Sequence, residues 1–458
     1  FNIRHDGTSK FRRNNMWKTF PSFSLGWNIA HENFWKPLEN TVNTLKLRAS
    51  YGSLGNQNID NWYQTYSTVA YNSVAGAWLQ GGKKTNITAA PGLVSAALGW
   101  EKVESYDVGL DWGAFNNRLT GSFDYYVRNT KDMVGPAPEL PALLGTAVPK
   151  TNNTDLRTTG WELQIGWRDH LENGLNYGVT FNVSDAQAKV TRYPNNPTGS
   201  LSSYIENRKV GEIWGYETIG IAKTNDEMNQ HLATLPNGGQ SQLGDKWAAG
   251  DIMYKDLDGD GKISNGSNTL SDHGDLKVIG NNTPRYLFGL DLTASWKGFD
   301  FRAFMQGVMK RDYNVNGSWG AREYLFGATN SGVWWAAGIT GVQDYFRDSE
   351  TWSVKNGYES ENLNAYLPRP QYSEKNIHTQ TRYLLNAAYL RMKNLQIGYT
   401  LPQSLVSKAG LGNVRFFVSA ENLFTITDLP SQFDPETIDT AYGNGYPLSR
   451  TFPFGVNV

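Results

Sequence analysis

Residues 105–114 read SYDVGLDWGA, which sets Tyr106, Val108, Leu110, Trp112 and Ala114 at one parity and Ser105, Asp107, Gly109, Asp111 and Gly113 at the other. Past a turn at Asn116-Asn117 the alternation resumes, with Leu119, Gly121, Phe123, Tyr125 and Val127 set against Thr120, Ser122, Asp124, Tyr126 and Arg128. Successive side chains of a strand point to opposite sides, so a period of two held this long predicts strands with two unlike faces. The pattern returns in SFSLGWNI, LKLRASYG, WELQIGWR and LNYGVTFNVS, then in YLFGLDLTASW, FDFRAFMQG, LQIGYTL, VRFFVSA and RTFPFGVNV. About twelve such segments occur. Each is near the roughly 9–11 residues a tilted strand needs to cross a bilayer.

A soluble sandwich or propeller also alternates apolar and polar positions. Three features favour a membrane. The apolar parity carries Trp, Tyr and Phe near strand ends, where aromatic girdles sit. The polar parity carries Lys46, Arg48, Asp107, Asp111, Glu162 and Arg168, which suits a wet lumen. Connections are asymmetric: tight at Asn116-Asn117 and Lys297-Gly298, moderate at 169–174 and 402–413, and long at about 53–100, 129–159, 186–284 and 312–388. Short turns on one rim and long loops on the other describe an all-β, antiparallel transmembrane barrel with short periplasmic turns and long extracellular loops.

Composition narrows the function. Lys+Arg 42 against Asp+Glu 43 leaves a formal charge of −1, without the basic excess that nucleic-acid binding calls for. Cys is absent, compatible with an oxidising envelope compartment and also with many cytosolic proteins. The six histidines (His5, His31, His170, His231, His273, His378) show neither metal spacing nor a nucleophile partner, and no G-x-S-x-G is present. Carboxylates such as Asp107 and Asp111 fall on one strand face, where pore lining is favoured over a glycosidase pair. No enzymatic activity is expected.

Two features in the long connections are candidates for ligands. In YKDLDGDGKIS, at 254–264, Asp256, Asp258 and Asp260 alternate like the first three ligands of a calcium loop, with Gly261 at the sharp turn. Lys262 can add its carbonyl, and Asp272 or Asp275 can fold back where Ser267 replaces the usual bidentate Glu. Without flanking helices this is no sensor; a weakly held structural Ca2+ and a metal-free Asp/Gly turn remain the two alternatives. The second feature is aromatic: Trp214, Tyr216, Trp334, Trp335, Tyr345 and Trp352. Flat rings stack on sugars, grip apolar side chains, anchor a protein partner or fill a loop's own small core.

Several runs carry a family resemblance: RHDGTSKF, FPSFSLGWNI, LKLRASYGSLGNQNI, WEKVESYDVGLDWGAFNNRLTGSFDYYVRNTKDM, GDIMYKDLDGDGKIS, YLRMKNLQIGYTLP and SAENLFTITD. In this order they resemble the SusC/RagA class of TonB-dependent outer-membrane transporters. The resemblance implies a barrel of about 22 strands with a plug domain, in the outer membrane of Bacteroidota. It also implies a SusD-like surface lipoprotein as partner, and uptake of an oligosaccharide or a peptide driven through TonB. Residues 1–458 are then the C-terminal part of one barrel domain, with plug, TonB contacts and about ten strands upstream. The strands at 1–6 and 447–458 are expected to pair with strands outside this chain, since unpaired edges are costly in lipid. A structural or adhesion barrel without transport is the rival of another class; a carbohydrate-active enzyme is the weaker one.

Overall fold

The computed structural model describes the chain apart from residues 60–61, 70–73, 89–90, 138–142, 144–147, 316–325, 327–342, 372 and 441–444. Twelve strands follow one another in both chain and sheet: β1 Asn2–Gly7, β2 Trp17–Asn28, β3 Val42–Asn56, β4 Glu101–Ala114, β5 Leu119–Pro136 and β6 Lys150–His170, then β7 Asn176–Arg192, β8 Arg285–Trp296, β9 Phe299–Lys310, β10 Tyr389–Thr400, β11 Arg415–Glu421 and β12 Phe454–Asn457. A thirteenth, Thr425–Thr427, adds to β10. Ladders run antiparallel, as between β1 and β2 and between β11 and β12. Among the described residues no ladder joins 1–6 to 447–458.

The sheet falls into two compact units: residues 1–117, 121–162 and 186–210, and residues 118–120, 163–185 and 211–458. In the first, the rows Leu25↔Ala49↔Val108 and Phe23↔Tyr51↔Tyr106 lie on one face. In the second, Phe301↔Ile397↔Val418 and Phe299↔Tyr399↔Phe416 do the same. These residues lie within paired strands yet face outward: Leu25 is 63% exposed, Val108 53% and Val418 60%. A soluble sandwich would bury such rows; apolar rows left open on strand after strand are what lipid covers.

The opposite face is charged and internally paired. Arg48 donates to Asp111 at 2.8 Å and 2.9 Å and to Asp124 at 3.0 Å. Arg302 pairs with Asp291 at 2.8 Å, and Arg415 Nε with Asp300 at 2.8 Å. Arg48–Asp111 and Arg302–Asp291 run diagonally between adjacent strands, whereas Arg48–Asp124 reaches across β4 and Arg415–Asp300 across β10, so each also marks the register. Glycine makes room for them. A Cβ on Gly109 would come within 2.3 Å of Asp124 and 2.8 Å of Arg48, and one on Gly398 within 2.5 Å of both Arg415 and Asp300.

Connections alternate as the pattern required. One rim carries 29–41, 115–118, 171–175, 297–298 and 401–414; the other carries 8–16, 57–100, 137–149, 193–284, 311–388 and 422–453. Tight turns place side chains in the left-handed region, with φ of 58° and 59° at Asn116 and Asn117 and 47° at Lys297. One expectation is corrected: 129–159 is no long connection, because β5 and β6 run on through most of it. Beyond the lipid band both faces meet water or protein, so polar residues fill both parities and the period-two signal vanishes while the ladder continues. Asp132, Asn152, Asn153, Asp155 and Arg192 cross-link this upper wall instead. The segment 57–100 likewise holds a hairpin, Val74–Gln80 with Lys83–Ile87.

Val108→Arg in the full-length protein, reconstituted in lipid, is expected to lower the unfolding free energy by about 2–4 kcal/mol. A guanidinium titration reads this, and an unchanged midpoint would place that face away from hydrocarbon.

Candidate functional site

Residues 211–284 build a small folded layer of their own. Glu212–Gly215 pairs with Lys277–Asn281, and Thr218–Ile221 with Ile252–Tyr254. Between them, inside the expected long connection, lies a helix, α1 (Asn225–Ala233). Thr224 caps it by accepting from Glu227 N–H, and Glu227 turns back to accept from Lys223 N–H. That reciprocal arrangement satisfies donors a helix start leaves open.

The interior of the layer is polar and paired. Tyr254 is fully buried, with Tyr216, Trp247 and His378 packed around its ring. Gln240 accepts from Tyr254 N–H at 2.6 Å and donates to Ile252 at 3.0 Å. At the centre Asp251, with no exposed surface, accepts from Arg369, Gln371, Lys375 and Asn376 and from Ala248 N–H, at distances near 2.9 Å. Lys375 Nζ also donates to the carbonyls of Asp245 and Lys246 at 2.9 Å and lies 4.8 Å from the Trp247 ring centre. Burial alone would push the Asp251 carboxyl up; the donors from Lys375, Asn376 and Arg369 outweigh it and hold the carboxyl below the usual aspartate range. Residues about 120 positions apart are thereby clasped, and the connection 193–284 is tied to 311–388.

The predicted aromatic residues divide. Trp214 is half-buried against the His273 ring at 5.5 Å. Tyr216 is 6% exposed and fills the layer's core, its phenol pushed up to about 12 by burial and by the charge of Asp275. Tyr345 is half-buried under the Arg347 guanidinium at 4.5 Å, its hydroxyl on Glu359. Trp352 is 70% exposed and stacks on Tyr358, itself 72% exposed, with centroids 5.4 Å apart and planes 18° from parallel. Trp334 and Trp335 lie outside the described residues. Tyr358, the other half of the open pair, was not singled out from sequence; only a turn that brings it back six positions later makes it a partner.

In the aspartate turn Asp256, Asp258 and Asp260 present carboxylate oxygens within 4.8 Å of one another. Strand Ile252–Tyr254 leads straight in, so no calcium-sensor helix precedes the turn. Asp256 accepts from Gly259 and Gly261 N–H, Asp258 from Asp260 N–H, and Asp260 from Lys262 N–H. Lys262 Nζ pairs with Asp260 at 3.0 Å. Asp272 is not in this group: its carboxylate accepts from Ser267 N–H and hydroxyl. Asp275 is fully buried and accepts from Leu257 N–H at 2.6 Å and Ser264 N–H at 2.8 Å, closing the turn at both ends. The donor chemistry is that of a hard cation, with part of its capacity already engaged by backbone.

Sheet, faces and rims together define a transmembrane barrel wall. Residues 1–423 match the model of the family described as TonB dependent receptor-like, beta-barrel. The chain is 32% identical to TonB-dependent receptor P3 of Formosa agariphila, over all of this chain and 43% of that protein. It is 26% identical to TonB-dependent receptor SusC of Bacteroides thetaiotaomicron, over 100% of this chain and 42% of that protein. Its fold resembles a chain of the RagAB peptide transporter, with TM-score 0.71 and 24% identity, covering 99% of this chain and 45% of that one. The chain belongs to the TonB-dependent receptor β-barrel family and is a bacterial outer-membrane protein, with SusC and the RagAB transporter chain among those it resembles. It spans less than half the length of these curated relatives, which are receptors rather than enzymes.

Asp251→Asn removes the counter-charge from a buried ammonium, a loss of about 3–5 kcal/mol. In the full-length protein trypsin at pH 7 is expected to cut the variant within 369–377 while the wild type resists. Because the folded Asp251 carboxyl lies below its ordinary value, the clasp is complete above about pH 3.9 and is lost only as pH falls through the lower folded value. Pepsin cleavage of the wild type there should therefore begin only below that pH. Equal trypsin resistance of both proteins would remove the clasp's role.

Proposed function

We propose that the whole protein imports a nutrient, an oligosaccharide or a peptide, across the outer membrane, powered through TonB and working with a SusD-like surface lipoprotein. The observation that carries this is the open Trp352–Tyr358 stack in a long connection of a TonB-dependent receptor barrel. Two large rings left in water, already ordered against each other, offer a flat apolar face at little further cost in side-chain freedom. Such a face suits the underside of a sugar ring or an apolar peptide side chain. The clasp at Asp251 ties the connection 311–388, which carries the stack, to the layer at 211–284. Peptide transport by RagAB and the SusC name of a second relative support a nutrient of one of these two classes.

Within the same reading the aspartate turn takes Ca2+ weakly, in the roughly 10⁻⁴–10⁻³ M range of extracellular modules, and stiffens the layer without switching it. Asp256, Asp258 and Asp260 would hold the ion.

The test uses a deletion strain complemented with the full-length gene and its neighbouring lipoprotein gene. Uptake of labelled oligosaccharides and peptides is measured with and without functional TonB. Trp352→Ala/Tyr358→Ala is expected to weaken uptake affinity roughly tenfold, about 1.4 kcal/mol, with the amount of barrel in the membrane unchanged. Unimpaired uptake of every oligosaccharide and peptide in the deletion strain would instead favour a structural or adhesion barrel.

Isothermal titration of the intact protein with Ca2+ is expected to show weak binding that Asp258→Ala abolishes. Identical curves would leave the aspartates as a metal-free turn.

A further inference from the structure

The outward face of the first unit is not evenly covered. In the row Leu25↔Ala49↔Val108 a methyl stands between two large side chains. The result is a furrow of about 380 Å³ lined by Phe23, Leu25, Ala49, Tyr106, Val108 and Val127, almost wholly apolar. It crosses the four neighbouring strands β2 to β5 within the lipid-facing band, with Tyr51 and Tyr125 completing its lining. Two positions nearer the rim of long connections, at the same parity, the surface changes character. Glu104 there, opposite Ser53 in the ladder, is shared by Lys102 and Lys131, the latter at 2.7 Å. The Glu104 side chain is 10% exposed and the side chains of Lys102 and Lys131 29% and 48%. Asp155, the next carboxylate within electrostatic reach of Lys131, is held by Arg192 through hydrogen bonds of 2.9 Å and 2.8 Å. Two cations over one carboxylate leave a net positive charge just above the apolar furrow.

We propose that this furrow and its lysine pair form a lipid site, holding one acyl chain against Ala49 and the phosphate of a phosphorylated glycolipid of the outer leaflet on Lys102 and Lys131. The rim of long connections is the extracellular one, so the lysines sit at the outer-leaflet headgroup level and the furrow below them within its hydrocarbon. Tyr51 and Tyr106, in ring contact at 5.1 Å, form the edge of the furrow nearest the charge, where amphipathic rings meet the interface. Charge complementarity selects an anionic headgroup, and continuity with the lipid-facing band selects a lipid over a soluble anion. Ammonium groups bind phosphate as point charges without demanding fixed geometry.

Full-length protein in mild detergent is titrated with a bisphosphorylated lipid A, its dephosphorylated form and phosphatidylglycerol, and retained lipid is counted by native mass spectrometry. One equivalent of lipid A is expected to be held at least tenfold more tightly than either of the other two. Lys102→Gln/Lys131→Gln should bring lipid A down to the dephosphorylated level, and Ala49→Phe, which fills the furrow, should weaken both lipid A forms. Lys297→Gln, on the opposite rim, should bind as the wild type, and gel mobility of unheated samples checks that each barrel is folded. Unchanged retention by folded Lys102→Gln/Lys131→Gln, or by folded Ala49→Phe, would overturn the site. Equal retention of phosphatidylglycerol would overturn the choice of glycolipid.

Discussion

A backbone amide in hydrocarbon has no water to turn to, and each one left unpaired costs several kcal/mol. Every other feature of the membrane-spanning wall depends on that constraint. It forces the chain into ladders, and a ladder imposes a two-residue period on side chains. One parity must then satisfy lipid and the other must not, which is why Val108 and Leu25 stand open on one face while Arg48 and Asp111 meet on the other. A slip of one residue would exchange the faces. The pairs Arg48–Asp111, Arg302–Asp291 and Arg415–Asp300 oppose such a slip, and Gly109 and Gly398 leave space for the Arg48 and Arg415 guanidinium groups.

The loop layer solves the opposite problem. Water surrounds it, so its backbone has partners whether folded or not, and order has to come from side chains. Its small apolar clusters, such as Ala222, Met228 and Met253, are too slight to do this alone. Asp251 supplies the rest by gathering donors from two connections into one buried cluster. A buried charge with every oxygen paired makes misplacing either connection costly, since losing a donor leaves the carboxylate short of partners. Exposed Trp352 and Tyr358 can then be spent on contact with something else, because they are not needed inside.

The wall was legible from residues alone because its cause is local. Period two, aromatic placement and the alternation of short with long connections each report a physical requirement that acts within a few residues. Legibility ended where the requirement ended. In 129–159 the strands continue past lipid, both faces become polar, and the signal disappears although the ladder does not. In the loop layer the stretch around Asp256 and the ring-bearing runs were visible, but their roles were not. Tyr216 and Trp352 are both aromatic residues in loops, and only packing makes one a core ring and the other a surface one.

The sequence by itself determined the strands, their faces, the side of the molecule that carries the loops and the family. Tertiary structure alone decided which loop residues meet: Asp251 with Lys375 and Arg369, Trp352 with Tyr358, Asp272 with Ser267 rather than with the three grouped aspartates. The reason is range. A strand's pattern is written by neighbours two residues away, whereas a clasp between two connections depends on where each returns in space, and no periodicity records that.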